Sequence, residues 1–176
     1  MYANNNPVMF VDPSGLGAEI TGSYEEMKDF FINLEKLTRD NLSYEIDKNT
    51  GNWIVSYSAV EGTKLNYGTT LVRDIIDSNY TVLLSPNGSD RANEVWAVNE
   101  SNASNGIGTG CIIYLDLNDK VSVPTEYIRK NGTIGVRYEN IPKRIMLGHE
   151  LIHSLSIMRG SLEKGAATYF YSTQDR

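Results

Sequence analysis

One cysteine, Cys111, and two histidines, His149 and His153, are all that the 176 residues hold of these types. A single cysteine excludes an intramolecular disulfide and leaves a thiolate-type structural zinc site without ligands. Cys111 lies in the apolar run Cys-Ile-Ile-Tyr-Leu, where a small buried core residue is expected. A nucleophilic cysteine would need a histidine base, and both histidines belong to another motif. No stretch approaches the 18 apolar residues of a membrane span, so no membrane span is expected. A basic segment followed by an apolar one is also missing at the N-terminus, so no signal peptide is expected. Positive charge is scarce: the net charge is −6 and the sequence pI about 4.9. Such a surface repels phosphate backbones and argues against a nucleic-acid partner. A deaminase site would need further Cys or His ligands that the chain does not have.

The hydrophobic fraction of 40% is enough for one domain with a proper core, and too ordinary for wholesale disorder. Asn-x-Ser/Thr occurs at Asn41, Asn79, Asn87, Asn99, Asn102 and Asn131, which in an asparagine-rich chain reads as composition. The informative residues are His-Glu-Leu-Ile-His at 149–153. On a helix, positions i and i+4 lie one above the other, so both imidazoles can address a single metal ion. Glu150 then stands beside the first ligand as a general base for an attacking water. Two His ligands, a Glu base and an open coordination position make the zincin arrangement, with Zn2+ as the cofactor. Tyr169 and Tyr171 could assist, although aromatics of a C-terminal segment are more often packing residues.

The third ligand is less defined. The metzincin extension needs Gly at 156 and His at 159; Ser156 and Arg159 stand there, which excludes that class. An acidic ligand downstream leaves Asp175, or a residue beyond Arg176 if the reading frame is a fragment, on an equal footing. Glu163 ranks behind them, since it could simply cap the next helix.

Periodicity places the motif in context. Ser23-Tyr-Glu-Glu26 is a capping box, and Met27, Phe30, Phe31, Leu34 and Leu37 continue at helical spacing, predicting a helix over 24–40. Gly17–Gly22 reads as a spacer. Strands are expected at 42–47 and 53–60 around the turn Asn49-Thr-Gly-Asn52, at 81–84, at 94–98 and at 111–117. A second helix is expected over 70–78. Residues 87–110 otherwise read as loop. Within them Asn105-Gly-Ile-Gly-Thr-Gly110 lacks the lysine and following helix of a phosphate loop, and a bend permitting close backbone approach fits better. The strand at 111–117 is expected at a sheet edge beside the cleft, where a substrate peptide would pair as an added strand. Pro142 fits helix position N1. Helical spacing then runs from Lys143 to about Met158 with Ile145, Leu151, Ile152 and Leu155 packing and Gly160 as the stop. The expected architecture is α+β: a zincin-like single domain, a small mixed or antiparallel sheet packed on helices, and the motif on a central helix.

Two resemblances add to this reading. Residues 2–16 include Tyr2, Asn-Pro at 6–7, Asp-Pro at 12–13 and Gly-Leu at 15–16. At that spacing they resemble the end of the RHS-repeat associated core, where shell-forming repeats stop and a variable toxin begins. The resemblance implies that 1–16 is a remnant of the carrier, with a junction at Leu16–Gly17, and that 17–176 is the cargo. Gly-His-Glu-Leu-Ile-His-Ser-Leu at 148–155, with the upstream Asn-Gly-Ile-Gly-Thr-Gly, is similar to the NleD/HopH-type effector zinc metallopeptidases. The pentapeptide also resembles that of clostridial neurotoxin light chains. By that resemblance the chain is a zinc endopeptidase toxin, with His149 and His153 as ligands and Glu150 as base. It would be delivered by a bacterial secretion system within an RHS protein to cut a protein of the target cell. An RHS shell and a cognate immunity protein are its implied partners. The alternative is an inactive or truncated cassette that keeps the fold and acts only as a binding module.

Overall fold

The computed structural model describes residues 17–62, 65–87 and 93–162, and in them the chain is a mixed α+β structure. A six-stranded sheet runs in the order β2-β3-β1-β4-β6-β5, formed by β1 (Ala18–Ile20), β2 (Asn41–Ile46), β3 (Trp53–Ser58), β4 (Val82–Pro86), β5 (Glu94–Ala97) and β6 (Cys111–Leu115). The β1–β4 and β4–β6 pairs are parallel and the others antiparallel. Register aligns one face across the strands: Val55, Ala18, Val82 and Cys111 form one row, and Trp53, Ile20, Leu84, Ile113 and Val95 the next. All of these are buried, whereas the alternating Leu83, Ile112 and Tyr114 are half-buried. The period of two thus turns one sheet face towards a helical layer.

That layer comprises α1 (Tyr24–Glu35), α2 (Tyr67–Ile76) and α4 (Lys143–Met158), with the short α3 (Glu100–Ser104) beside it. The capping box forms as expected: the Ser23 hydroxyl accepts from the Glu26 backbone N–H, and the Ser23 N–H donates to the Glu26 carboxylate at 2.8 Å. Helix α1 closes at Glu35, short of the expected residue 40, and Leu37 turns back beyond it to pack on the core. Asn66 caps α2 by accepting from the Thr69 N–H at 2.8 Å, which starts that helix earlier than the apolar spacing alone indicates.

Two expectations are corrected, and one pair of strands is new. Gly17–Gly22 is no spacer, for Ala18–Ile20 forms a buried inner strand too short to show any periodicity. The strand at 111–115 lies inside the sheet between β4 and β5, so the edge on that side is β5. Residues 122–140, to which the sequence reading assigns no element, form a separate hairpin of β7 (Ser122–Ile128) and β8 (Ile134–Asn140). It joins the body through Val121 and Ile141, whose side chains pack on the core and whose backbones bond at 2.8 Å.

The glycine loop at 105–110 is the bend that was expected. Gly106 and Gly108 take φ of 78° and 82°, and a Cβ on Gly108 would run into the Met158 carbonyl oxygen at the end of α4. Its partner is Gly160, at φ 69°, whose carbonyl accepts from the Gly106 N–H at 2.9 Å. The loop is therefore a clasp on the C-terminus of α4.

Candidate metal centre

Helix α4 follows directly on Pro142, which occupies the N-cap with extended ψ of 139°, one place before the expected N1. One stripe of the helix, Leu147, Glu150, Leu151, Ser154, Ile157 and Met158, is buried. Each large aliphatic side chain there contributes about 1.5–3 kcal/mol on burial. Gly148 leaves room for the Leu37 side chain, which a Cβ would meet at 3.3 Å. Ion pairs orient both ends: Lys143 with Asp29 of α1 at 2.6 Å, and Arg159 with Asp74 of α2 at 2.9 Å. Both are substantially exposed, so they set direction more than they stabilise. Ile145 and Ile152, expected to pack inward, are instead 49% and 39% exposed, because they share the outer face with His149.

On that outer face the two histidines converge. His149 Nε2 and His153 Nε2 lie 3.2 Å apart, with ring centroids 4.8 Å apart and planes at 67°. Burial lowers the pKa of both rings, and His149 adds to the effect on His153. The shift favours the neutral imidazole, the form in which histidine ligates a metal ion. The spacing fits a shared ion: zinc bonds to imidazole nitrogen of about 2.0–2.1 Å across a 3.2 Å gap enclose an angle of about 100°, close to tetrahedral.

Glu150 lies one residue, about 100° of helix rotation, from His149. It is only 3% exposed, and its Oε2 is buried with no hydrogen-bond partner among the described residues. Loss of hydration raises its pKa to about 7, where a carboxylate can both take and return a proton. Behind it, the Ser154 hydroxyl donates to the Glu150 backbone carbonyl at 3.0 Å and stands beside the Cys111 thiol. Cys111 is the buried core residue expected of it; desolvation pushes its thiol up to about 12.

The helix thus brings His149 and His153 together on its outer face, while Glu150 lies on the adjoining buried stripe. The remaining expected residues, Glu163, Tyr169, Tyr171 and Asp175, lie outside the described residues. Among the described residues no third His, Cys, Asp or Glu completes a metal-binding group with the histidines. A cavity of about 360 Å³ lies at the other end of α4, lined by Asp74, Tyr80, Leu155, Met158 and Arg159, and does not include the histidines. No protein-family model matches the chain, and no curated protein matches it.

Proposed function

We propose that the chain is a zinc-dependent endopeptidase acting as the C-terminal cargo of an RHS-type toxin, residues 1–16 being the carrier remnant and 17–176 the toxin domain. The observation that carries the peptidase reading is the 3.2 Å approach of two imidazole nitrogens, at a chord that suits one tetrahedral ion. The junction-like residues 2–16 support the carrier reading.

In this reading His149 and His153 supply two ligands, and the third is Asp175, a residue beyond Arg176, or Glu163. Zinc bound there would supply Lewis acidity, polarising a peptide carbonyl and stabilising the charge that develops on its oxygen. Glu150 does the proton work: its carboxylate accepts a proton from the attacking water and gives it to the leaving amine. Its dry surroundings hold it poised between the two states near neutral pH. The clasp at Gly108 and Gly160 holds the C-terminal end of the helix that carries all three residues.

The test is elemental analysis of the dialysed chain, followed by cleavage or toxicity assays. About one zinc per chain is expected, lost in His149→Ala and retained in Glu150→Gln. Glu150→Gln should lower cleavage by roughly 100-fold or more. A folded chain that retains no zinc overturns Asp175 and Glu163 as third ligand and leaves a ligand beyond Arg176 or an inactive cassette. Toxicity that survives Glu150→Gln would instead indicate a binding module.

A further inference from the structure

We propose that β8 is a docking edge for a second copy of the chain. The two β8 strands would pair antiparallel about a two-fold axis through Val136, joining both hairpins into one four-stranded sheet. Of the hairpin's strand residues only Gly135 is buried, beneath the side chains of Tyr127 and Arg129, and only Thr125 is half-buried. Among the described residues no third strand joins it. A two-stranded hairpin is marginal in water, and further strands are what make such a unit stable. The backbone says which edge is open. The Arg129 N–H donates to the Thr133 carbonyl at one end of the ladder, and the Ile141 N–H to the Val121 carbonyl at the other, both at 2.8 Å. Odd-numbered residues therefore carry the bonds between β7 and β8, and even-numbered ones turn their N–H and C=O groups outward. On β7 the outward set includes Pro124, which has no N–H to offer and so closes that edge. On β8 it is Ile134, Val136, Tyr138 and Asn140, a row without proline.

Any extended strand could supply hydrogen bonds; what argues for a second copy is that β8 is complementary to itself. Outward residues must face outward residues. Centred on Val136, the pairing sets a β-branched residue against its own counterpart and Ile134 against Tyr138 on either side, all on the face that also carries Ile128. Centred one residue later, it would set Arg137 directly against Arg137, a like-charge pair that costs stability. In the Val136 register each Arg137 faces Gly135 and keeps its own Glu139 at 2.6 Å. The hairpin 122–140 is close to neutral, with Arg129, Lys130 and Arg137 against Glu126 and Glu139, a net +1 in a chain of net −6. The acidic excess therefore lies in the body, and antiparallel pairing puts the two bodies at opposite ends of the joined hairpins. Asn140 of one copy comes level with Gly132 of the other, so the two Asn140 residues stand about 27 Å apart. That exceeds the Debye length of about 8 Å at physiological salt, and the repulsion between bodies is screened. An edge contact of this kind buries less than the roughly 1,200 Å² of a stable interface, so the dimer should form and dissociate with concentration.

The test is sedimentation velocity and thiol cross-linking of the full chain, whose one native thiol, Cys111, is buried. A monomer–dimer equilibrium that moves towards dimer with concentration is expected. Opposite Cα atoms of a hydrogen-bonded antiparallel pair lie about 5.5 Å apart, within reach of a disulfide. Val136→Cys should therefore cross-link to itself on mild oxidation, roughly tenfold more than Ile134→Cys or Tyr138→Cys alone. A mixture of those last two should cross-link to each other. Val136→Pro removes the two hydrogen bonds on the axis, leaves the β7–β8 ladder intact, and should give a monomer with unchanged thermal melting. A monomer at every concentration, a dimer that survives Val136→Pro, or equal cross-linking of Ile134→Cys and Val136→Cys overturns the proposal. Glu150→Gln protein serves equally well, so this result stands apart from that of the peptidase test.

Discussion

At the scale of single residues, Glu150 is where stability and chemistry oppose each other. A carboxylate that is 3% exposed, with an oxygen that finds no partner among the described residues, destabilises the fold whenever it is ionised. The general-base role proposed for Glu150 calls for such surroundings. Glu150→Gln removes the charge at nearly constant volume. The expected outcome is a metal-free variant at least as stable as the parent, by about 1–2 kcal/mol, while cleavage collapses. Thermal melting of the two chelated proteins checks this, and a clear fall in Tm would mean that the carboxylate makes a stabilising bond. Cys111 is the opposite case. Its thiol, pushed up to about 12 behind α4, stays protonated and covered, so a thiol reagent at about pH 8 should leave the native chain untouched and modify it in guanidinium.

At the scale of elements, the clasp on α4 fixes the histidines by holding the end of their helix. Gly108 combines a left-handed φ with a backbone approach to Met158 that excludes any Cβ, whereas Gly51, at φ 76°, has open space around it. Gly51→Ala should cost about 1 kcal/mol and Gly108→Ala about 3 kcal/mol or more, measured by urea unfolding. Equal costs would mean that the close approach is absent. The same comparison shows what could be read in advance. The three glycines at 106, 108 and 110 signalled a close approach, and the helix around 149–153 was legible because Pro142, the apolar spacing and Gly160 agree. What escaped had weak local signals. Strand β1 is three residues long and owes its place to pairing with β3 and β4, which are distant in sequence. The β7–β8 hairpin is exposed on both faces, so it lacks the alternation that a half-buried strand imposes. Ile145 and Ile152 look like core residues on spacing alone, yet the helix turns its other side to the sheet.

At the scale of the whole molecule, the sheet and the helical layer are tied by a polar bridge as well as by apolar burial. Arg73 of α2 donates twice to Asp40, at 2.6 and 2.7 Å, and Asp40 also accepts from the Val60 N–H at 3.2 Å just past β3. The Asp40 side chain is fully covered, and Arg73 stacks over Tyr57, whose hydroxyl donates to Asp77 at 2.7 Å. The Arg73 guanidinium holds the Asp40 carboxyl below its ordinary value of 3.8. A carboxyl depressed by folding contributes stability that is complete above the unfolded value and disappears as pH falls through the folded one. The bridge should therefore stabilise the chain undiminished at neutral pH and lose its effect only below about pH 4. Asp40→Asn should lower the urea midpoint clearly at pH 7, because it leaves the guanidinium without its charged partner, and the gap to the parent should close on acidification. A gap that persists unchanged below pH 3 would mean that hydrogen bonding at Val60, and not the charge on Asp40, joins the two layers.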